Sequence, residues 1–107
     1  MVCGEVVQLA APRRARGHEQ HGPRPGVVVQ ADELLELSTV LIAPTSRSAA
    51  PATFRPLIHV SQTSTRVLTD QLRVFDLRSV TGTLGHLTRA ELESVDDALA
   101  LILGLRL

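Results

Sequence analysis

Apolar residues in this 107-residue chain fall in short runs, and loops of proline, glycine and polar residues separate these runs. Short runs of Val, Leu and Ile between such loops are typical of β-strands. Several strands with little helix predict a mainly β fold of the α+β class, either a small barrel or a tightly curled antiparallel sheet. We expect Pro44 to end one strand and residues 32–37 to form a single helical turn. The predicted strands cover residues 5–10, 26–30, 39–43, 57–60 and 67–75.

The last of these segments alternates between apolar and polar side chains, which is the period of a strand with one buried face. An amide and a guanidinium would then lie side by side on its exposed face. The predicted core face carries Leu68, Leu72 and Val74, and the predicted exposed face carries Thr69, Gln71 and Arg73.

The end of the chain predicts a helix that packs on the sheet. Thr88 is a good N-cap, and Glu91 follows three residues later, as in a capping box. Gly104 is placed to end the helix in the left-handed conformation. The hydrophobic staple around the cap would be Leu87 with Leu92, and the apolar stripe facing the sheet would be Leu92, Val95, Leu99 and Ile102.

Composition narrows the classes of function. The chain has no Trp, no Tyr and only two Phe, which excludes a nucleic-acid binder built on a platform of stacked aromatic rings. The formal net charge is zero and every basic residue is Arg. Residues 1–30 carry four arginines against Glu5 and Glu19, so this end of the chain is locally basic. One cysteine and no apolar run of membrane-spanning length predict a single cytoplasmic domain over residues 1–107 without a membrane segment.

Two polar loops, predicted over residues 12–25 and 45–56, carry groups suited to phosphoryl chemistry. If neighbouring strands bring the loops together, arginine side chains and hydroxyls converge, and they can stabilise negative charge on a phosphorane without a metal. His18 and His21 lie in the first loop, and three roles are open for them. They are exposed loop residues without a ligand, they contact RNA, or they bind zinc together with Cys3. The converging residues would be Arg24, Thr45, Ser46 and Arg47.

Five segments in order along the chain form a recognisable set: Gly4–Val7, Gly17–Pro25, Ala43–Arg47, Asp70–Arg73 and Val95–Leu99. Together they resemble the MazF/PemK toxins. The family's first strand opens with Gly followed by an acidic residue, and its first loop has the form Gly-Ser-Glu-Gln-x-Gly-x-Arg-Pro. A later strand ends in Ala-Pro-Ile-Thr-Ser-Arg, and Asp-Gln-Ile-Arg and a Val-Asp-x-Ala-Leu helix follow.

The resemblance implies a small SH3-like β-barrel with a C-terminal helix, a homodimer, and cleavage of single-stranded RNA by attack of a ribose 2′-hydroxyl on the adjacent phosphate. It implies neither a metal nor another cofactor. Arg24, Thr45 and Glu19 match catalytic positions of the family. The residues expected to contact RNA are His18, Gln20, His21, Ser46, Arg47, Gln71 and Arg73.

This chain departs from the family pattern in two places. His18 replaces the usual Ser, and the Ile before Thr45 is missing, so either Thr45 or Ser46 takes the role of the catalytic hydroxyl. Two other functions stay open: a toxin of the same fold that poisons DNA gyrase, and a degenerate module that only binds RNA or antitoxin. The implied partner is a MazE-type antitoxin whose disordered acidic segment covers the basic loops.

Overall fold

The computed structural model describes residues 1–10 and 24–105. Within them lie seven strands, three single turns of 3₁₀ helix and one α-helix, α1, at Arg89–Leu103. The 3₁₀ turns are Asp32–Leu34, Thr69–Gln71 and Leu77–Ser79. The strands are β1 Glu5–Leu9, β2 Arg24–Val28, β3 Thr39–Ser46, β4 Leu57–Val60, β5 Thr63–Val67, β6 Arg73–Asp76 and β7 Val80–His86.

The strands form one curled antiparallel sheet in the order β4-β5-β3-β2-β1-β7, and β6 also pairs with β3. The long strand β3 belongs to both halves of the curl, since its first half pairs with β6 and its last two residues pair with β5. This confirms the predicted barrel-like sheet with a C-terminal helix. In the part of the chain that the structure describes, no helix has the length and apolar character needed to cross a membrane.

Alternating side chains of the sheet separate into two clusters of apolar residues. The inner core packs against α1 through Val95 and contains Val6, Val27, Ala43, Ile58, Val60, Val67 and Val95. The outer core lies on the opposite face of the same central strands and contains Val7, Leu9, Val28, Val40 and Ile42. Both faces of β1, β2 and β3 are therefore buried, which explains why their sequences read as continuous apolar runs.

The prediction that Pro44 ends the third strand is wrong. β3 continues through Pro44 to Ser46, so Thr45 and Ser46 belong to the strand and not to the following loop. Pro44 lies where β3 changes partner, between the residues paired with β6 and those paired with β5. A residue without an amide proton is tolerated there because the ladder on that side is interrupted.

The predicted strand over residues 67–75 is also wrong. The chain turns at Thr69–Gln71 and a separate strand, β6, begins at Arg73. As a consequence Thr69 is fully buried while Val74 is 59% exposed, the reverse of what was predicted for these two residues. Leu68 is buried, and Gln71 and Arg73 are exposed, as predicted. The Thr69 hydroxyl donates to the carbonyl of Phe54, a contact between distant segments that the alternation did not reveal. β5 and β7 were not predicted.

The helix start agrees with the prediction. Thr88 is the N-cap, and its hydroxyl and the Glu91 carboxylate form both hydrogen bonds of a capping box. The other carboxylate oxygen of Glu91 accepts a bond from the backbone N–H of His59 in β4 at 2.9 Å. Burial raises the pKa of Glu91, but these backbone bonds outweigh it and hold that pKa below its ordinary value. One cap residue therefore also attaches α1 to the sheet.

The helix end agrees with the prediction only in part. Gly104 is the C-cap with φ 67°, a left-handed conformation that suits glycine. Val95, Ala98 and Ala100 are buried, but Ile102, predicted to face the sheet, is 37% exposed. The last turn of α1 is therefore more exposed than its middle.

Candidate active site

Two neighbouring strand ends bring the predicted site residues together. β2 begins at Arg24 and β3 ends at Ser46, and the strands are antiparallel with Gly26 opposite Pro44. Extending this register by two residues places Arg24 opposite Ser46. Directly opposed residues of antiparallel strands project from the same face, with Cβ atoms about 5 Å apart.

Gly26 permits a close approach of these strands. A Cβ atom at this position would lie 2.7 Å from Cγ2 of Ile42 in β3 and 2.8 Å from Cδ1 of Leu9 in β1. A side chain here would force Ile42, Leu9 or β2 itself to shift. The glycine thus keeps Arg24, two residues earlier, against the end of β3.

A pocket of about 410 Å³ opens at these strand ends. Such a volume lies within the usual range for ligand-binding pockets. Arg24, Thr45, Ser46 and Arg47 all contribute to its wall, so the predicted convergence of these four residues is found in the structure. The remaining described lining residues are Gln8, Pro25, Val60, Ser61, Thr63, Thr65 and Leu84.

The floor of the pocket is the open end of the inner core. Side chains two apart on a strand share a face, so each core-facing row can be followed to its end. The row of β1 passes from Val6 to Gln8, and that of β3 passes from Ala43 to Thr45. On β5 the row passes from Val67 to Thr65 and Thr63. Three strands thus change from apolar to polar side chains at the same end of the sheet.

The two candidate hydroxyls occupy different environments. Thr45 is 2% exposed, and its hydroxyl donates to the backbone carbonyl of Pro25 at 2.8 Å. Ser46 is half-buried, and its Oγ lies 3.3 Å both from Oγ and from the backbone nitrogen of Ser48. Bonds of this length are weak, so the Ser46 hydroxyl is the one that a ligand can readily engage.

The charged groups in the described wall of the pocket are both arginines. Arg24 is half-buried and Arg47 is exposed. None of the lining residues that the structure describes is acidic, and no described carboxylate forms an ion pair with either guanidinium. The site is therefore suited to an anionic group such as a phosphate.

Other predicted site residues lie elsewhere or outside the described ranges. Gln71 belongs to the 3₁₀ turn and Arg73 to β6, so they are not neighbours on one strand face, and neither lines the pocket. The Arg73 guanidinium stacks 4.6 Å above the ring of Phe75. The predictions for His18, Glu19, Gln20 and His21 fall outside the described residues. Among the residues that are described, no group of three or more His, Cys, Asp or Glu side chains is arranged to hold a metal ion.

Several lining residues were missed by the sequence analysis. Gln8 is a polar residue on the core-facing row of a central strand, and the alternation of Val6 with Gln8 carried that signal. Thr63, Thr65 and Val67 also alternate, but β5 was not recognised as a strand. Ser61 lies in a two-residue turn in which both residues have positive φ, 49° for Ser61 and 68° for Gln62. Without Gly or Asn, this turn had no signal in the sequence.

A sequence model of the PemK-like, MazF-like toxins of type II toxin–antitoxin systems matches residues 3–103. The chain belongs to this family. A candidate toxin of Mycobacterium tuberculosis (strain ATCC 25618 / H37Rv) is 39% identical over 106 residues, which are 98% of this chain and 99% of that protein. The family assignment covers the sheet, the pocket and α1.

Solved structures of the family share the fold. A mycobacterial endoribonuclease in complex with its cognate antitoxin superposes with a TM-score of 0.80 at 19% identity, covering 100% of this chain and 98% of that one. MazF from Deinococcus radiodurans gives 0.77 at 26% identity over 98% of this chain and 97% of that one. In a MazE–MazF complex from the same organism, the matched chain gives 0.76 at 23% identity, with coverage of 99% and 97%.

Proposed function

We propose that this MazF-family toxin is a metal-independent, sequence-specific endoribonuclease that cleaves single-stranded RNA. The observation that carries the proposal is the shared pocket of Arg24, Ser46 and Arg47, in which the described wall holds two guanidinium groups and no carboxylate. Transfer of a phosphoryl group needs chiefly positioning and stabilisation of charge, and these residue types supply both. Family members of the same fold described as endoribonucleases support the assignment.

The reaction that fits this pocket is an internal transfer. A ribose 2′-oxygen attacks the adjacent phosphorus, and the bond from phosphorus to the 5′-oxygen of the next nucleotide breaks. The 2′-hydroxyl loses its proton and the leaving 5′-oxygen gains one, which yields a 2′,3′-cyclic phosphate and a 5′-hydroxyl. Arg24 stabilises the charge that develops on the phosphoryl oxygens, and Arg47 holds a phosphate at the rim. Glu19 remains the candidate for proton transfer.

We assign the phosphate-contacting hydroxyl to Ser46 and a positioning role to Thr45. Thr45 directs its only hydroxyl proton to Pro25 and so holds the start of β2 against β3. Its side chain faces the inner core, where the resembling family motif has the apolar Ile. The family motif is one residue longer than Ala43–Arg47. If the missing residue lay inside β3, every later side chain of the strand would turn to the other face. Aligned without a gap from Ala43 to Ser46, the chain has Thr45 where the family has Ile and Ser46 where the family has Thr.

The test is cleavage of single-stranded RNA by the purified toxin in excess EDTA, with chemical identification of both new ends. Arg24→Ala should lower the rate by at least about 10²-fold while unfolding as the parent does. Arg78→Ala is the matched control, because Arg78 is exposed and its partner is Asp76, away from the pocket. Full activity of Arg24→Ala would refute the assigned mechanism. Inhibition of a topoisomerase without RNA cleavage would support the gyrase-poisoning function instead.

The proposed partners are a MazE-type antitoxin and a second copy of the chain, acting in the cytoplasm. An acidic antitoxin segment would neutralise Arg24 and Arg47, and two of the family structures were solved with an antitoxin. A homodimer would cover part of the apolar surface at the end of α1, where Leu101, Leu103 and Leu105 are more than half exposed. Light scattering of the toxin alone and with its antitoxin measures both assemblies.

A further inference from the structure

The pocket is larger than the proposed chemistry requires. The groups proposed to act on the phosphate, those of Arg24, Ser46 and Arg47, lie at the ends of β2 and β3, which we call the rim. Alternation along the strands places Arg24 and Ser46 on the face opposite to that of Gln8 and Thr45, so the pocket is lined from both faces at these strand ends. A phosphate group fills only a fraction of about 410 Å³. Other strands form the rest of the wall, and we call its lining residues Gln8, Thr63, Thr65, Val60 and Leu84 the recess.

The recess combines apolar contact area with polar groups that other residues do not engage. Val60 and Leu84 contribute apolar surface. Thr65 is 4% exposed, yet neither its hydroxyl nor the Gln8 amide bonds to another side chain in the described parts of the molecule. Among the described residues, no buried side-chain nitrogen or oxygen lacks a partner. Gln8 and Thr65 both line the pocket, where a ligand would meet their polar groups.

The placement of Gln8 is the strongest sign of a ligand. It lies on the core-facing row of β1, a central strand, immediately after the fully packed Val6. Opposite Gln8 on β2 is Pro25, whose carbonyl already accepts the Thr45 hydroxyl. The barrel core would gain more stability from an apolar side chain at this row than from a half-buried amide that no described side chain bonds.

We infer that the recess receives one unpaired nucleobase next to the scissile phosphate, and that Gln8 and Thr65 determine which base is accepted. The inference rests on the proposed ribonuclease function. Recognition of RNA sequence usually takes place on single strands, whose bases turn out of the stack and are bonded along their edges. A side-chain amide carries a donor beside an acceptor, which is the arrangement that pairs with a base edge. Val60 and Leu84 contact the faces of the base.

The hairpin between β4 and β5 shapes the recess from the other side. Ser61 and Gln62 form its turn, and both have the positive φ that glycine or asparagine usually supplies. This turn brings Ser61 and Thr63 to the pocket wall opposite the ends of β2 and β3. The hairpin therefore limits the depth of the recess and the size of the base that enters it.

The test compares sequence preference rather than rate alone. Gln8→Leu and Thr65→Val remove the polar groups with little change of shape. Cleavage ends on a randomised RNA pool should show that discrimination at one nucleotide flanking the cut falls about tenfold in each variant, while cleavage continues. Thr83→Val, on exposed β7 and outside the pocket, is the control and should keep the parent preference. Unchanged preference in both recess variants would overturn the inference.

A binding measurement separates this inference from the proposed function. Fluorescence anisotropy is recorded with short single-stranded RNA oligomers that differ in one base, each with a 2′-O-methyl group at every position to block the attacking hydroxyl. If the parent toxin cleaves no RNA but Gln8→Leu loses the base preference of binding, the recess stands and the nuclease proposal fails. If the parent cleaves RNA and both variants bind and cut with its preference, the nuclease stands and the recess fails. If the parent shows neither cleavage nor any base preference in binding, both fail.

Discussion

The pocket and the region beside α1 use the same kinds of polar residue in opposite ways. We call the groups Arg55, Asp70, Thr88, Glu91 and His59 the helix-side network. There Nε and Nη2 of Arg55 bond both carboxylate oxygens of Asp70 at 3.1 and 2.8 Å, and Glu91 accepts backbone bonds from Thr88 and His59. In the pocket, Arg24 and Arg47 have no carboxylate among the described lining residues.

This difference separates groups that serve the fold from groups available to a ligand. In the helix-side network each charge is matched inside the molecule, so removing one partner leaves the other unpaired and affects stability. In the pocket, no described carboxylate pairs with Arg24 or Arg47, and no described side chain bonds Gln8 or Thr65. Substitutions there should affect binding and catalysis more than stability. Four substitutions test this contrast.

The largest effect is expected for Ser46→Ala. Loss of the hydroxyl proposed to contact the phosphate should lower the cleavage rate by about 10²-fold, the usual effect of removing one donor to a developing anion. The free energy of unfolding should stay within about 0.5 kcal/mol of the parent value, since Ser46 makes only long hydrogen bonds. Single-turnover cleavage and urea denaturation measure the two quantities. Ser64→Ala, on an exposed residue of β5, is the control, and a Ser46→Ala variant with parental rate would return the catalytic role to Thr45.

Thr45→Val should lower the free energy of unfolding more, and the cleavage rate less, than Ser46→Ala does. The isosteric change leaves the carbonyl of Pro25 without its donor and should destabilise the fold by about 1–2 kcal/mol. The rate should fall less than in Ser46→Ala, because the loss acts through the position of Arg24. Comparing KM with kcat in the two variants distinguishes direct contact from positioning. A greater loss of kcat in Thr45→Val than in Ser46→Ala would contradict the assignment.

Thr88→Ala should destabilise the toxin and leave its activity unchanged. The variant loses the hydroxyl that accepts from the backbone N–H of Glu91, and N-cap substitutions of this kind cost about 1 kcal/mol. Ser94→Ala, on the exposed side of the same helix, should not destabilise. A loss of cleavage activity without loss of stability in Thr88→Ala would show that the helix-side network also serves the reaction.

The smallest effect is expected for Asp70→Asn, and it depends on pH. Hydrogen bonds from the Arg55 guanidinium hold the pKa of Asp70 below its ordinary value of 3.8. A lowered folded-state pKa means that this stabilisation is complete above the ordinary value and is lost as pH falls through the folded-state pKa. The stability difference between the parent and Asp70→Asn should therefore be small at neutral pH, since the pair is exposed, and should vanish on acidification. Denaturation at several pH values measures it; Asp97→Asn, an exposed residue of α1, is the control. A difference that grows in acid would contradict the role of this pair.

The elements that local sequence determined are those whose signals lie within a few residues. The capping box at Thr88 and Glu91 and the left-handed Gly104 lie where they were predicted, because a helix cap is formed by neighbouring backbone and side-chain groups. The apolar runs that became β1, β2, β3 and β4 were recognised because both faces, or alternate faces, of these strands are buried. The resemblance to the family also predicted the barrel, and it predicted that Arg24 and a hydroxyl after Pro44 act at one site.

What the tertiary structure decided is which residues meet and which side chains remain open. The alternation of residues 67–75 predicts a strand, but the bond from Thr69 to Phe54 and the partner change of β3 produce a turn instead. The choice between Thr45 and Ser46 depends on which face of β3 each occupies, and that follows from pairing with β2, twenty residues away along the chain. Sequence alone determined local conformation because its causes are local. The recess, with Gln8 at its floor, exists only because strands distant in sequence end at the same edge of the sheet.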